Sequence, residues 1–180
     1  MTKFLTILLV STFIACGQTK ESKDEETNLN WKTYEVSDYS IQYPDSWELN
    51  QNGQMGTSLI LFSPLESRKD KFRENINLLI QDLSGYNLDL NEYAKISEGQ
   101  IKTLVTNSIL IESKRIKNGS NEYQRVIYTG DQGIFHLKYE QFFWVKNDKA
   151  YILTLTCEQD KFSVFKKVGE EILNSFMFKY

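Results

Sequence analysis

IFHLKYEQFFWV, residues 134–145, decides the fold. In an extended chain successive side chains point to opposite faces. Phe135, Leu137, Tyr139, Phe143 and Val145 therefore share one face, and Ile134, Phe142 and Trp144 share the other. A strand that is apolar on both faces is central in its sheet, with something packed on each side.

Similar segments flank it. EYQRVIYTG (122–130) precedes it, AYILTLTCE (150–158) follows, and NSILIESKRIK (107–117) lies further upstream. Asn118-Gly119, the stretch from Gly130 to Gly133, and Lys146-Asn147-Asp148-Lys149 read as the hairpin turns between them. Toward the N-terminus WKTYEV, YSIQYP, SWELN, TSLILFSP and NINLLIQDL are shorter strands. Pro44-Asp45-Ser46 and the QNGQMG run of residues 51–56 mark turns.

Two segments have helical periodicity. Leu88 to Leu104 starts with Asp89 three residues before Glu92, a capping-box spacing, and presents Leu90, Tyr93, Ile96, Gln100, Ile101 and Leu104 toward one side. Phe162, Phe165, Val168 and Ile172 define a second helix, with Asp160 as its expected cap, and SFMFKY closes the chain as a short strand. These elements predict an α+β fold: an antiparallel β-sheet flanked by helices on both faces, an α/β/α sandwich in one domain over residues 31–180.

The first 30 residues read differently. Lys3 precedes an apolar run, Phe4 to Ala15, and the chain turns polar directly after Cys16. Twelve residues of helix reach about 18 Å, against roughly 30 Å of bilayer hydrocarbon. The run has the size of a signal-peptide apolar region. Phe13-Ile14-Ala15-Cys16 resembles a bacterial lipobox, with Phe where Leu is commoner. The resemblance implies a lipoprotein signal peptide at 1–15, cleavage before Cys16, lipid on the Cys16 sulfur and a further acyl chain of the palmitate kind. Several chains make a durable anchor where one holds marginally. A core helix with a chance cysteine is the competing reading. Residues 16–30 are a polar tether with little to bury, and Asp24-Glu25-Glu26 loosely resembles surface-export signals of Bacteroidetes lipoproteins.

The whole chain has 21 basic and 24 acidic side chains, a net charge of −3, and loss of Lys3 with a leader makes it one unit more negative. That balance argues against a nucleic-acid partner and against an electrostatic hold on anionic lipid. With Cys16 lipidated, Cys157 has no disulfide partner and reads as a small buried residue.

Motifs for chemistry are missing from the sequence. There is no G-x-S-x-G elbow, P-loop or dinucleotide loop. His136 is the sole histidine and alternates with Phe135 and Leu137, as a sheet-face histidine bonded to a neighbour would. One histidine and one unlipidated cysteine cannot make a zinc site. Asp82, Asp89 and Glu92 come nearest to a calcium loop, but helix capping accounts for them better. The expectation is no enzyme, no catalytic or metal residues and no cofactor: a binding or assembly module that meets the membrane through its N-terminal lipid and meets a protein partner through loops 51–56 and 64–74. An envelope hydrolase with an unrecognised carboxylate site is the alternative, as is a structural lipoprotein without a ligand. The location expected is the bacterial cell envelope, lipid-anchored at the outer membrane on its periplasmic or its surface side.

IQYPDSWEL, NINLLIQDL, the Gln141-Phe142 strand, YILTLT and the closing NSFMF together resemble the PsbP-like family, which includes DcrB-like bacterial lipoproteins. The resemblance spans nearly all of Lys32 to Tyr180. It implies an antiparallel sheet with helices on both sides, and its motifs are packing motifs that carry no activity.

Overall fold

The computed structural model describes residues 29–119 and 121–179. Cys16, the leader and most of the tether lie outside the described residues.

The element order is β1 (Trp31–Glu35), β2 (Tyr39–Pro44), β3 (Glu48–Asn50), β4 (Leu59–Phe62), β5 (Asn75–Asp82), α1 (Leu90–Leu104), β6 (Thr106–Asn118), β7 (Asn121–Gln132), β8 (Phe135–Lys146), β9 (Lys149–Glu158), α2 (Phe162–Asn174) and β10 (Met177–Phe178). All pairings are antiparallel. Seven strands form one sheet in the order β3-β4-β5-β9-β8-β7-β6, and three form a second, β1-β2-β10. A single sheet was expected. Instead β2 is the middle strand of a second sheet, pairing with β1 on one side and, through Ser40 and Tyr39, with Met177 and Phe178 of β10 on the other.

β8 lies inside the large sheet between β7 and β9, as its two-sided apolar pattern requires. Phe143 joins a core with Tyr93 and Ile101 of α1, Val126, Tyr128 and Ile152. Phe142 and Trp144 join the larger core, with Phe162, Ile172 and Leu173 of α2 and with Tyr39, Ile41 and Tyr43 of β2. A helix alone was expected to contribute to this second core; residues of both α2 and β2 belong to it. Of the five residues expected to face one core, Leu137 and Phe143 are buried, while Tyr139 and Val145 are half-buried against the α1 core. Phe135 packs on Phe72 instead, with ring centroids 5.1 Å apart.

Several local expectations are corrected. The α1 face that is buried runs through Tyr93, Ala94, Ser97 and Ile101, and Ile96 and Leu104 are exposed. Positions 93, 97 and 101 follow the i, i+4 row with 94 beside it at the i, i+3 spacing to 97, and the small Ala94 and Ser97 are what hid the face from a hydrophobic count. Asp160 does not cap α2: Lys161 occupies the cap position and no side chain bonds there. Gly130 lies within β7 rather than in a turn, and the turn falls at Gly133 and Ile134, leaving Ile134 exposed. An added Cβ on Gly130 would come within 2.3 Å of Val105 Cγ1, so glycine lets the end of α1 close onto the sheet. Asn147 and Asp148, both at positive φ, make the tight turn expected between β8 and β9.

Candidate functional site

A groove of about 730 Å³ opens at one end of the large sheet. Four chain segments meet there: the start of α1, the β6–β7 hairpin, the end of β8 and the C-terminal stretch from Asn174 to Phe178. Antiparallel register brings them together. Asn118 pairs with Asn121 at the hairpin end, and Lys146 pairs with Lys149 at the next hairpin. The amide of Leu83, on the way from β5 to α1, donates to the carbonyl of Asp148 (2.7 Å), which brings the chain leading to α1 to the same end.

The floor is aromatic. Trp144 contacts Phe176 at 5.0 Å and Phe178 at 6.0 Å between centroids, and its indole N–H donates to Asn121 Oδ1 (2.8 Å). Lys146 places its ammonium 4.7 Å from the centre of the Phe178 ring.

The wall is polar and pre-ordered. Asp89 accepts the amide of Glu92 (2.8 Å) and Glu92 accepts the amide of Asp89 (3.0 Å), completing the capping box read from the sequence. The Glu92 amide is the main reason the Asp89 carboxyl lies below the usual range. Arg115 donates to Gln124 Oε1 (3.0 Å), Glu122 Oε1 (2.9 Å) and Asn91 Oδ1 (2.8 Å), tying β6 to β7 and to α1. Hydrogen bonds from Arg115 and then Lys117 hold Glu122 below its ordinary value. The groove thus offers guanidinium, amide and carboxylate groups in fixed positions above apolar rings, the mixture found in small-ligand and peptide clefts.

Both carboxylates in it are ionised and engaged. Among the described residues of the groove no nucleophile stands beside a base, the arrangement that acyl transfer would need.

Of the residues weighed for chemistry in the sequence (Asp82, Asp89, Glu92, His136 and Cys157), Asp89 lies in this groove, and Trp144, read as a strand residue, forms its floor. Loops 51–56 and 64–74 do not line it. The first holds the exposed Met55, whose φ of 55° is left-handed. The second borders a shallower depression of about 440 Å³ at Glu66, Asp70, Phe135, Glu158 and Lys161. There Lys161 pairs with Glu66 (2.8 Å), Glu158 (3.2 Å) and Asp70 (3.6 Å), and these carboxylates, Glu66 first, raise its pKa.

Asp82 accepts the amide of Ser84 and does not join Asp89 and Glu92. Among the described residues no three His, Cys, Asp or Glu side chains stand where they could hold a metal ion. His136 Nδ1 lies 2.6 Å from Asp131 Oδ1, directly across the β7–β8 pair. Cys157 is buried, and burial pushes its thiol pKa up, away from nucleophilic character. Arg115 and Asn121 were missed because they read as ordinary hairpin residues, and only the register shows that they face α1 and Trp144.

No protein-family model matches the sequence, and no curated protein matches it. Solved structures do match. The solution structure of cyanobacterial PsbP (CyanoP) from Synechocystis sp. PCC 6803 is similar with a TM-score of 0.60 at 16% identity, covering 84% of this chain and 94% of that one. PA94 from Pseudomonas aeruginosa, a protein of unknown function, has a TM-score of 0.61 at 13% identity over 84% of this chain and 99% of that one. LpqN of Mycobacterium tuberculosis, involved in cell envelope biogenesis, has 0.61 at 10% identity over 85% and 92%. At these identities the likeness shows the fold, which is PsbP-like.

Proposed function

We propose that the chain is a lipid-anchored module of the bacterial cell envelope that binds a partner through the groove between α1, the β6–β7 hairpin and the C-terminal segment, without catalysing a reaction on it. The carrying observation is the groove itself: Arg115, held in three hydrogen bonds, beside the aromatic floor of Trp144 and Phe178. Preorganised donors and acceptors bind with little ordering cost. The engagement of Asp89 and Glu122 in backbone and guanidinium contacts supports binding over acid–base chemistry. The lipobox-like Phe13-Ile14-Ala15-Cys16 supports anchoring, and the fold likeness to LpqN, a protein of envelope biogenesis, supports the location. We further read the layer order as α1, the large sheet, then α2 with the small sheet, on the strength of the alternation of Phe143 with Phe142 and Trp144.

Two experiments test this. Cells expressing the full chain are fed a labelled fatty acid and fractionated. Wild type should carry the label into the membrane fraction, and Cys16→Ala should lose both label and membrane retention; label retained by Cys16→Ala ends the anchoring reading. Photo-crosslinking residues are then placed at Asn118 and, as a control, at Lys95 on the exposed side of α1. A discrete adduct at 118 that is absent at 95 and lost in Arg115→Ala is the expected result. Equal adducts at both positions would remove the groove from the proposal.

A further inference from the structure

Glu74 is fully buried, and neither carboxylate oxygen has a hydrogen-bond partner. The hydroxyl of Ser63 is also buried and unpartnered. These two residues close the β4–β5 ladder, with the Ser63 amide donating to the Glu74 carbonyl (2.8 Å). Continuing the β5–β9 register by one step sets Glu74 beside Cys157, whose thiol feels the Glu74 charge. Buried polar groups are nearly always bonded, so an orphaned carboxyl beside an orphaned hydroxyl calls for an explanation.

The segment 64–73 leaves and rejoins the sheet at this pair. Its pins are hydrogen bonds and ion pairs centred on Asp70, Lys161 and Arg73. Asp70 accepts the amides of Glu66 (3.2 Å) and Phe72 (3.3 Å). Lys161 ties Glu66 and Asp70 to the start of α2. Arg73 bonds the carbonyl of Ser63 (2.9 Å) and the carboxylate of Glu48 (2.9 Å). Two ring contacts add to these: Phe72 against Phe135, and the Arg73 guanidinium 4.9 Å from the centre of the Phe62 ring.

We propose that Glu74 is a proton-operated latch for segment 64–73: protonated, it lets the segment close on the end of the sheet, and ionised, it drives the segment open. A neutral carboxyl tolerates an unpaired burial that a carboxylate does not, since an isolated buried charge is far costlier than a buried neutral group. Opening gives the carboxylate water. The groups that face it work in both directions. Lys161 favours the carboxylate, Asp70 opposes it, and the amides of Glu74 and Glu158 pull its pKa down without reaching hydrogen-bonding geometry. Cys157 from β9 stays neutral beside it. On β8, Lys138 lies opposite Cys157 but turns its ammonium to the Phe162 ring, and Glu140 has its Oε1 on Arg125 while its Oε2 is buried without a hydrogen-bond partner. Burial outweighs these, and the Glu74 pKa is raised. Asp70 is held low and is already ionised across the neutral range, so it cannot be the switching group there.

Hydrogen exchange with mass spectrometry on the full chain tests the latch, with rates corrected for intrinsic base catalysis and referred to a β7 peptide. Linkage makes the opening constant rise by up to about tenfold per pH unit between the open and closed pKa values of one carboxyl. Peptides covering 64–74 should lose about tenfold or more of their protection between pH 5 and pH 8, while the β7 peptide changes little. Glu74→Gln keeps the shape without the proton and should stay closed and flat across that range. Glu74→Leu, also neutral, gives the same reading should the amide disturb folding. A wild-type profile that changes less than twofold, or a pH dependence that survives in either variant, overturns the proposal.

Discussion

Phe143 and Trp144 are adjacent in β8 and belong to two different hydrophobic cores. Phe143 meets Tyr93 of α1 edge to face, with centroids 5.9 Å apart at 84°. Trp144 meets Tyr123, Phe142, Phe176 and Phe178. Both rings are almost fully buried. Truncating a buried aromatic costs about 3–5 kcal/mol in lost transfer energy and residual cavity. Phe143→Ala and Trp144→Ala should each lose that much in urea denaturation. A large loss at 143 with almost none at 144 would mean that the face bearing Trp144 is open.

Arg125 holds the buried Glu140 through Nε (2.6 Å) and reaches Glu112 (2.6 Å) and Glu170 of α2 (3.3 Å). Burial raises the Glu140 pKa and the guanidinium opposes that rise. Arg125→Met leaves the carboxyl unpaired in the interior, and such a break costs about 3–5 kcal/mol at neutral pH. The sign with pH follows from the raised carboxyl. Its protonated form is the one the interior accepts, so the deficit should be smallest in acid and grow as pH climbs through the Glu140 pKa. Denaturation of wild type and variant at pH 5 and pH 8 measures it; a deficit that is larger at pH 5 contradicts the assignment.

Asp89 caps α1 with its carboxylate on the Glu92 amide. Asp89→Ala should lower the thermal midpoint by about 2–4 °C, the shift expected for the loss of one cap in a chain of this size. The Asp89 pKa is depressed, so its contribution is present above the ordinary carboxyl range and fades as pH falls through the depressed value. The gap between wild type and Asp89→Ala should therefore narrow in strong acid. Scanning calorimetry over a pH series reads this directly.

Gly130 leaves room for Val105 at the end of α1. A methyl group there meets Val105 at 2.3 Å and the carbonyl of Thr106 at 3.2 Å, and neither a β-branched side chain nor a backbone carbonyl yields easily. Gly130→Ala should destabilise by about 1–3 kcal/mol through overpacking. A variant as stable as wild type in chemical denaturation would show that α1 can lift off the sheet at no cost.

The long strands, both helices and the turns at Asn118-Gly119 and Asn147-Asp148 were legible in the sequence because they rest on local rules: period-two alternation in β8, the Asp89–Glu92 spacing, and Asn147-Asp148 between two apolar runs. The buried row of α1 was misread because Ala94 and Ser97 bury well without looking hydrophobic. The small sheet was not legible, since β10 pairs with β2 across more than 130 residues and nothing in either segment names the other. The same limit hid the groove. Arg115, Asn121 and Phe178 are unremarkable where they stand in the chain, Trp144 reads as one apolar residue of a central strand, and register gathers them at one end of the sheet. Glu74 makes the point most sharply. In sequence it is one charge in a charged loop, PLESRKDKFRE. Burial is a property of the neighbours the fold supplies, so only the tertiary structure makes that carboxyl an unpaired group beneath the surface.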